Sequence, residues 1–187
     1  MFIIFNKKII EGNMGEILVG PSIDHMLKQT RNHHVQLSSL ADSKANMLIT
    51  AASLVLTLSI RYIMDPELKW ISVCLISFCI LTILLAAYSA MPKMSLFLKK
   101  QKGDAADNPN LNILFFGDFI KLSYDEYEAR MIDVINNPVD TYKVQLHEIY
   151  TLGLFLTGKK YRFLKLAYIS FICGLLICGV AIVISLF

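Results

Sequence analysis

The chain has 187 residues, 55% of them hydrophobic and 18% charged, with a formal net charge of +3. Its apolar residues are gathered into three long runs, and a soluble domain of this size with three such helices would expose an implausible apolar area. The small positive excess sits beside those runs, where it suits an anionic membrane surface and calls for no nucleic acid polymer.

Residues 1–21 form an N-terminal segment with an apolar start, Met1 to Phe5, followed by Lys7 and Lys8. The basic pair follows the apolar residues and no small-residue cleavage site comes after it, so a cleaved signal peptide is not expected. From Pro21–Ser22 a helix is predicted, with Ser22 as N-cap and Asp24 complementing the first turn. Ile23, Met26, Thr30, His33, Leu37 and Leu40 recur at three- and four-residue steps, a heptad-like face. No proline or glycine interrupts residues 22–64. The simplest expectation is one helix about 60 Å long, soluble over 22–44 and membrane-spanning over 45–64.

The three apolar runs are Ala45 to Met64, Trp70 to Met91 and Leu166 to Phe187, with the third span taken as residues 163–187. Each is about 20 residues, enough to cross roughly 30 Å of hydrocarbon as a helix. Arg61 is the one charged residue inside them, within a turn of an end, where it can reach the interface. The second helix is expected to continue past a kink at Pro92, through Phe97 and Leu98, to a stop at Gly103.

Residues 92–162 form the second soluble region. Asp104 to Asn110 reads as a polar loop. The run from Asn112 to Phe119 is too short for periodicity to separate strand from helix. Ser123 and Glu126 form a capping box, predicting a helix to about Asn136, which Asn137–Pro138 breaks. Tyr142, Leu146, Ile149, Leu152 and Leu156 are helically spaced and lead towards the third span, with Gly153 and Gly158 as places to bend. The fold class is therefore an all-α membrane protein: three transmembrane helices with long helical extensions forming a small bundle.

Lysine and arginine crowd both sides of the first two spans, from Lys7 to Lys44 and from Lys93 to Lys165, and include Lys159, Lys160 and Arg162. The positive-inside rule places the N-terminus and the 93–165 region in the cytoplasm and the Phe187 end outside, periplasmic or extracellular. The cysteines, Cys74, Cys79, Cys173 and Cys178, lie within spans at i, i+5, so neither pair can close locally; they read as packing residues. No phosphate loop, metal-ligand spacing or catalytic constellation stands out, and no cofactor, metal or enzymatic activity is expected.

Two faces do stand out. Ser39, Asp42, Asn46, Thr50, Ser53 and Thr57 fall on one face of the first helix, running into the bilayer, where polar groups should meet protein or water. Interhelical hydrogen bonding and the wall of an aqueous path are both open readings. Ser170, Gly174, Cys178, Ala181 and Ser185 form a small-residue face in the third span that allows close helix packing, and with it self-association into a homo-oligomer in the lipid bilayer.

Three segments also carry a resemblance. Ala41-Asp-Ser-Lys-Ala-Asn46 leads into the first span. Asn112-Ile-Leu-Phe-Phe-Gly-Asp-Phe119 is followed by Tyr124 to Met131. Leu152-Gly-Leu-Phe-Leu-Thr-Gly-Lys-Lys-Tyr-Arg-Phe-Leu-Lys-Leu-Ala-Tyr168 leads into the last. In this order, over roughly residues 25–187, they resemble the transmembrane effectors of Pycsar antiphage defence. The resemblance implies an inner-membrane effector gated by a cyclic pyrimidine mononucleotide, cUMP or cCMP, from a partner cyclase. Such an effector impairs the membrane and causes abortive infection. Some relatives add an HD-type hydrolase domain, whose His-Asp pattern is missing here, so no enzymatic activity carries over. For the implied nucleotide, Arg31, Lys44, Lys121 and Arg130 offer cations and Phe115, Phe116 and Tyr124 offer aromatic faces. The alternative is a constitutive membrane adaptor or anchor without a nucleotide ligand.

Overall fold

A computed structural model describes residues 9–10, 17–18, 20–92 and 111–185. The loop from Asp104 to Asn110 and the stretch from Lys93 to Gly103 lie outside the described residues. The fold is helical, apart from a two-residue antiparallel pairing of β1 (Ile9–Ile10) with β2 (Ile17–Leu18) in the segment for which the sequence suggests no structure. Helix α1 (Pro21–Ile60) runs 40 residues, about 60 Å, and ends in a 3₁₀ turn, Arg61–Met64. The Gly20 carbonyl accepts from the Ile23 and Asp24 amides, so the helix opens with Pro21 in its first turn, two residues earlier than an N-cap at Ser22 predicts.

After a four-residue turn, α2 (Lys69–Ala90) forms the second span. It stops before Pro92: Met91 is extended, with ψ 127°, because the proline ring crowds an α conformation in the residue before it. The kinked continuation expected at this point does not form at Met91. Later come the single turn α3 (Phe116–Phe119), α4 (Tyr124–Asn136) and α5 (Pro138–Phe155). The Ser123–Glu126 capping box closes in both directions, and Pro138 occupies the first turn of α5. Between α5 and α6 (Arg162–Ser185) lies a π-helical stretch, Leu156–Tyr161, with Gly158 inside it. Three helices are long and apolar enough to cross a membrane: Pro21–Met64, Lys69–Ala90 and Pro138–Ser185.

The chain divides into two compact units, residues 1–34 with 93–153, and residues 35–92 with 154–187. In the first, Leu27, Ile113, Leu122, Val139 and Tyr142 are buried. In the second, the membrane unit, Ala41, Ala45, Leu48, Ala86, Leu164 and Ala167 form the core. The buried face of α1 is thus Leu27, Ala41, Ala45, Leu48 and Ala52. It differs from the heptad-like face read from the sequence, in which Met26 and Leu40 are 56% and 54% exposed. Alanines pack helices closely but register weakly as hydrophobes, so the larger side chains masked the true interface.

Along α6, Ser170, Gly174 and Cys178 are buried against α2. A Cβ built on Gly174 would stand 2.6 Å from Phe78 Cβ. Ser170 Oγ donates to the Phe78 carbonyl at 3.4 Å and Cys178 Sγ to the Ile71 carbonyl at 3.7 Å. This part of the small-residue face is occupied within one protomer, by α2, which leaves it unavailable to a second copy. Ala181 is half-buried and Ser185 exposed. All four cysteines are free thiols.

Candidate functional site

A cleft of about 450 Å³ opens in the first unit, between α1 and α5. On α1 it is lined by Asp24, Leu27, Lys28, Arg31 and Asn32; Leu114 forms one wall, and α5 contributes Gln145, Glu148 and Ile149. The walls are placed by side chains that bond backbone. Asn112 Oδ1 accepts from the Leu114 amide at 3.0 Å, folding the 112–115 turn, while its Nδ2 donates to Thr151 Oγ1 at 3.1 Å. Thr151 Oγ1 donates in turn to the Glu148 carbonyl at 3.0 Å.

Charge in the cleft is partly committed. Arg31 donates through Nε to Glu148 Oε1 at 3.1 Å, and its Nη2 forms an ion pair with the same oxygen at 3.1 Å, with Arg31 55% exposed and Glu148 12%. Asp24 accepts the Tyr142 hydroxyl. That hydrogen bond, with burial, raises the Tyr142 pKa above its ordinary 10.0. Lys28 has no ion-pair partner among the described residues. The cleft therefore holds Lys28 and Asp24 without an ion pair among the described residues, Arg31 paired with Glu148, two amide side chains in Asn32 and Gln145, and aliphatic walls. This set can take a small anion attached to a flat polar group. Its volume lies in the ordinary range for small-molecule sites, roughly 300–1,000 Å³.

Of the cations and aromatics that the sequence nominates, only Arg31 lines the cleft. Lys44 is exposed on α1 in the membrane unit. Lys121 pairs with Asp118 at 2.9 Å, and Arg130 is half-buried on α4. The Phe115 and Phe116 rings meet at a tilt of 47° with centroids 4.9 Å apart, and Tyr124 is 72% exposed. Lys28, Asn32, Gln145 and Glu148 went unread because they are polar residues spaced one turn apart on helices distant in sequence. Only the pairing of α1 with α5 brings them together.

The residues of the polar face of α1 differ in exposure. Ser39, Asn46, Thr50 and Thr57 are exposed, and Asp42 and Ser53 half-buried. Thr50 and Thr57 donate to the Asn46 and Ser53 carbonyls of their own helix, both at 2.9 Å. The Asn46 side chain has no hydrogen-bond partner among the described residues. Asp42 is the exception on this face: both its oxygens accept from Lys160 Nζ, at 2.7 and 2.6 Å. Lys160 is therefore no lipid-facing juxtamembrane cation, as its place beside Lys159 and Arg162 suggests. It falls in step with the buried Leu156, Leu164 and Ala167 and points inwards.

A model of the Pycsar effector protein domain matches residues 25–186. The chain belongs to this family. No curated protein and no solved structure matches the chain. As a Pycsar effector it has the role of an antiphage defence effector, associated with the membrane, and family membership implies a cyclic-nucleotide signal from a partner cyclase.

Proposed function

We propose that the protein is an inner-membrane effector gated by cUMP or cCMP, with the α1–α5 cleft as its nucleotide site. The N-terminus and the 93–165 region are cytoplasmic and the Phe187 end faces outside. Ligand binding drives association of copies and impairment of the membrane, ending growth before phage spreads. One observation carries this reading: the helix that supplies Lys28, Arg31 and Asn32 to the cleft is the same unbroken helix that forms the first span. A ligand that pulls on Lys28 or competes with Glu148 for Arg31 acts directly on α1, and a continuous helix passes rotation or displacement along its length.

In this reading the single phosphate charge is met by Lys28 and Arg31, a charge-assisted pairing. Asn32 and Gln145 face the donor and acceptor edge of a pyrimidine, and Leu27, Leu114 and Ile149 cover its face. The test is calorimetric titration of the full chain in detergent with cUMP and cCMP, with cAMP as the purine control. Binding of one pyrimidine nucleotide is expected, weakened at least about tenfold by Lys28→Glu. Absence of binding by both pyrimidine nucleotides, or equal binding by the variant, overturns the assignment.

A further inference from the structure

Among the described residues, Lys160 is the one whose bonds and chain tie together all three helices of the membrane unit. It is 5% exposed. Its ammonium donates to both Asp42 oxygens, at 2.7 and 2.6 Å, and to Ser38 Oγ at 2.8 Å, which fastens it to α1. Its carbonyl accepts from Ser89 Oγ at 2.7 Å, which fastens it to α2. Its own chain continues into α6. The neighbours strengthen the same junction: Tyr161 donates to the Leu37 carbonyl at 3.1 Å, and Lys159 donates to the Met91 carbonyl at 3.2 Å, at the C-terminal end of α2.

Two features make this junction suited to switching. The ammonium of the pair is buried and its carboxylate half-exposed, so removing Asp42 alone leaves a buried charge without its partner, a costly arrangement that separates the paired state from others. Lys160 also lies in a π-helical stretch, which holds an extra residue per turn. Return of that stretch to α geometry shifts its register by one residue and swings Lys160 by about 100°. Asp42, 40% exposed, is the one acidic residue on the polar face that runs from Ser39 to Thr57.

The geometry points to Lys160 as the clamp of the closed state. Its ammonium neutralises Asp42 and holds span one against spans two and three. Relaxation of the π-helical stretch withdraws it, frees span one and leaves an uncompensated carboxylate on the polar face. The inference rests on the proposal that the membrane unit impairs the bilayer, but not on where the nucleotide binds.

The test reads membrane potential with a voltage-sensitive dye in cells that lack the partner cyclase, with membrane abundance followed by immunoblot. Lys160→Met and Asp42→Asn are each expected to depolarise cells without nucleotide, on the order of tenfold or more above the parent. The double variant Asp42→Asn/Lys160→Met decides, because it leaves no buried charge unpaired. It is expected at parental abundance and still leaking. A double variant that is silent at parental abundance, or one lost from the membrane, overturns the clamp. The parent co-expressed in turn with a cUMP-forming and a cCMP-forming cyclase separates the two readings. A parent that responds beside a silent double variant sinks the clamp alone, and a parent and variants that never depolarise sink the effector reading.

Discussion

In the first unit the buried Leu27, Ile113, Leu122 and Val139 are joined by individually placed polar contacts between distant segments: Asp24 with Tyr142, Arg31 with Glu148, Asn112 with Thr151. In the membrane unit helices meet through Ala41, Ala45, Ala86, Ala167 and Gly174, and specific polar links gather at Lys160. Solvent explains the contrast. In water apolar burial drives helices together without direction, and directional bonds then fix which faces meet. In lipid there is no hydrophobic drive between helices, and close approach of small residues supplies the attraction. A polar link inside lipid is then scarce, and where one occurs it marks a position of consequence.

The contrast breaks most visibly at Gly174. With a Cβ 2.6 Å from Phe78 Cβ, Gly174→Val forces α2 and α6 apart. Overpacking of this kind costs about 1–3 kcal/mol, and the added γ-methyls put this case at the upper end. Loss of thermal stability in detergent and of membrane abundance are expected. Gly179→Val, five residues on with nothing within 4 Å, should change neither.

That asymmetry also shows what the sequence could and could not convey. Span lengths, the capping box at Ser123 and the polar face of α1 follow from local composition and helical period. The buried alanine face of α1 did not, because small residues carry little hydropathy signal. Lys160 is misleading for another reason: it stands among juxtamembrane cations, and only its phase with Leu156 and Leu164 marks it as inward. The π-helical stretch has no reliable sequence mark beyond Gly158. The cleft depends on pairing α1 with α5, whose contacting residues Arg31 and Glu148 are 117 positions apart in the chain, which no local pattern encodes.

A smaller effect is expected at Tyr142 in the first unit. Tyr142→Phe removes the hydroxyl that Asp24 accepts and should cost about 1–1.5 kcal/mol, since the exposed carboxylate regains water. The folded protein raises the Tyr142 pKa above 10.0, so it holds the phenolic proton more tightly than the unfolded chain does. The resulting stability is complete below about pH 10 and is lost as pH climbs through the raised value. Chemical denaturation at pH 8 and pH 11 should show the parent losing more stability than Tyr142→Phe over that interval.

The smallest effect on stability, and the sharpest test of the polar face, comes from Thr50→Leu with Ser53→Leu. Thr50 already donates to its own helix, at the Asn46 carbonyl, and both positions are open at least in part. Leucine is better accommodated in lipid than either residue, and a lost interhelical hydrogen bond averages only about 0.6 kcal/mol. The double variant should therefore reach the membrane at parental abundance and melt at nearly the parental temperature. If the face lines a path through the bilayer, two leucines at mid-span close it, and depolarisation on cyclase activation disappears. Met47→Leu keeps an exposed apolar position apolar and should respond as the parent does. Depolarisation by the double leucine variant equal to the parent's assigns the face to packing alone. The clamp at Lys160 would then have to open the bilayer along a different surface of the same three spans.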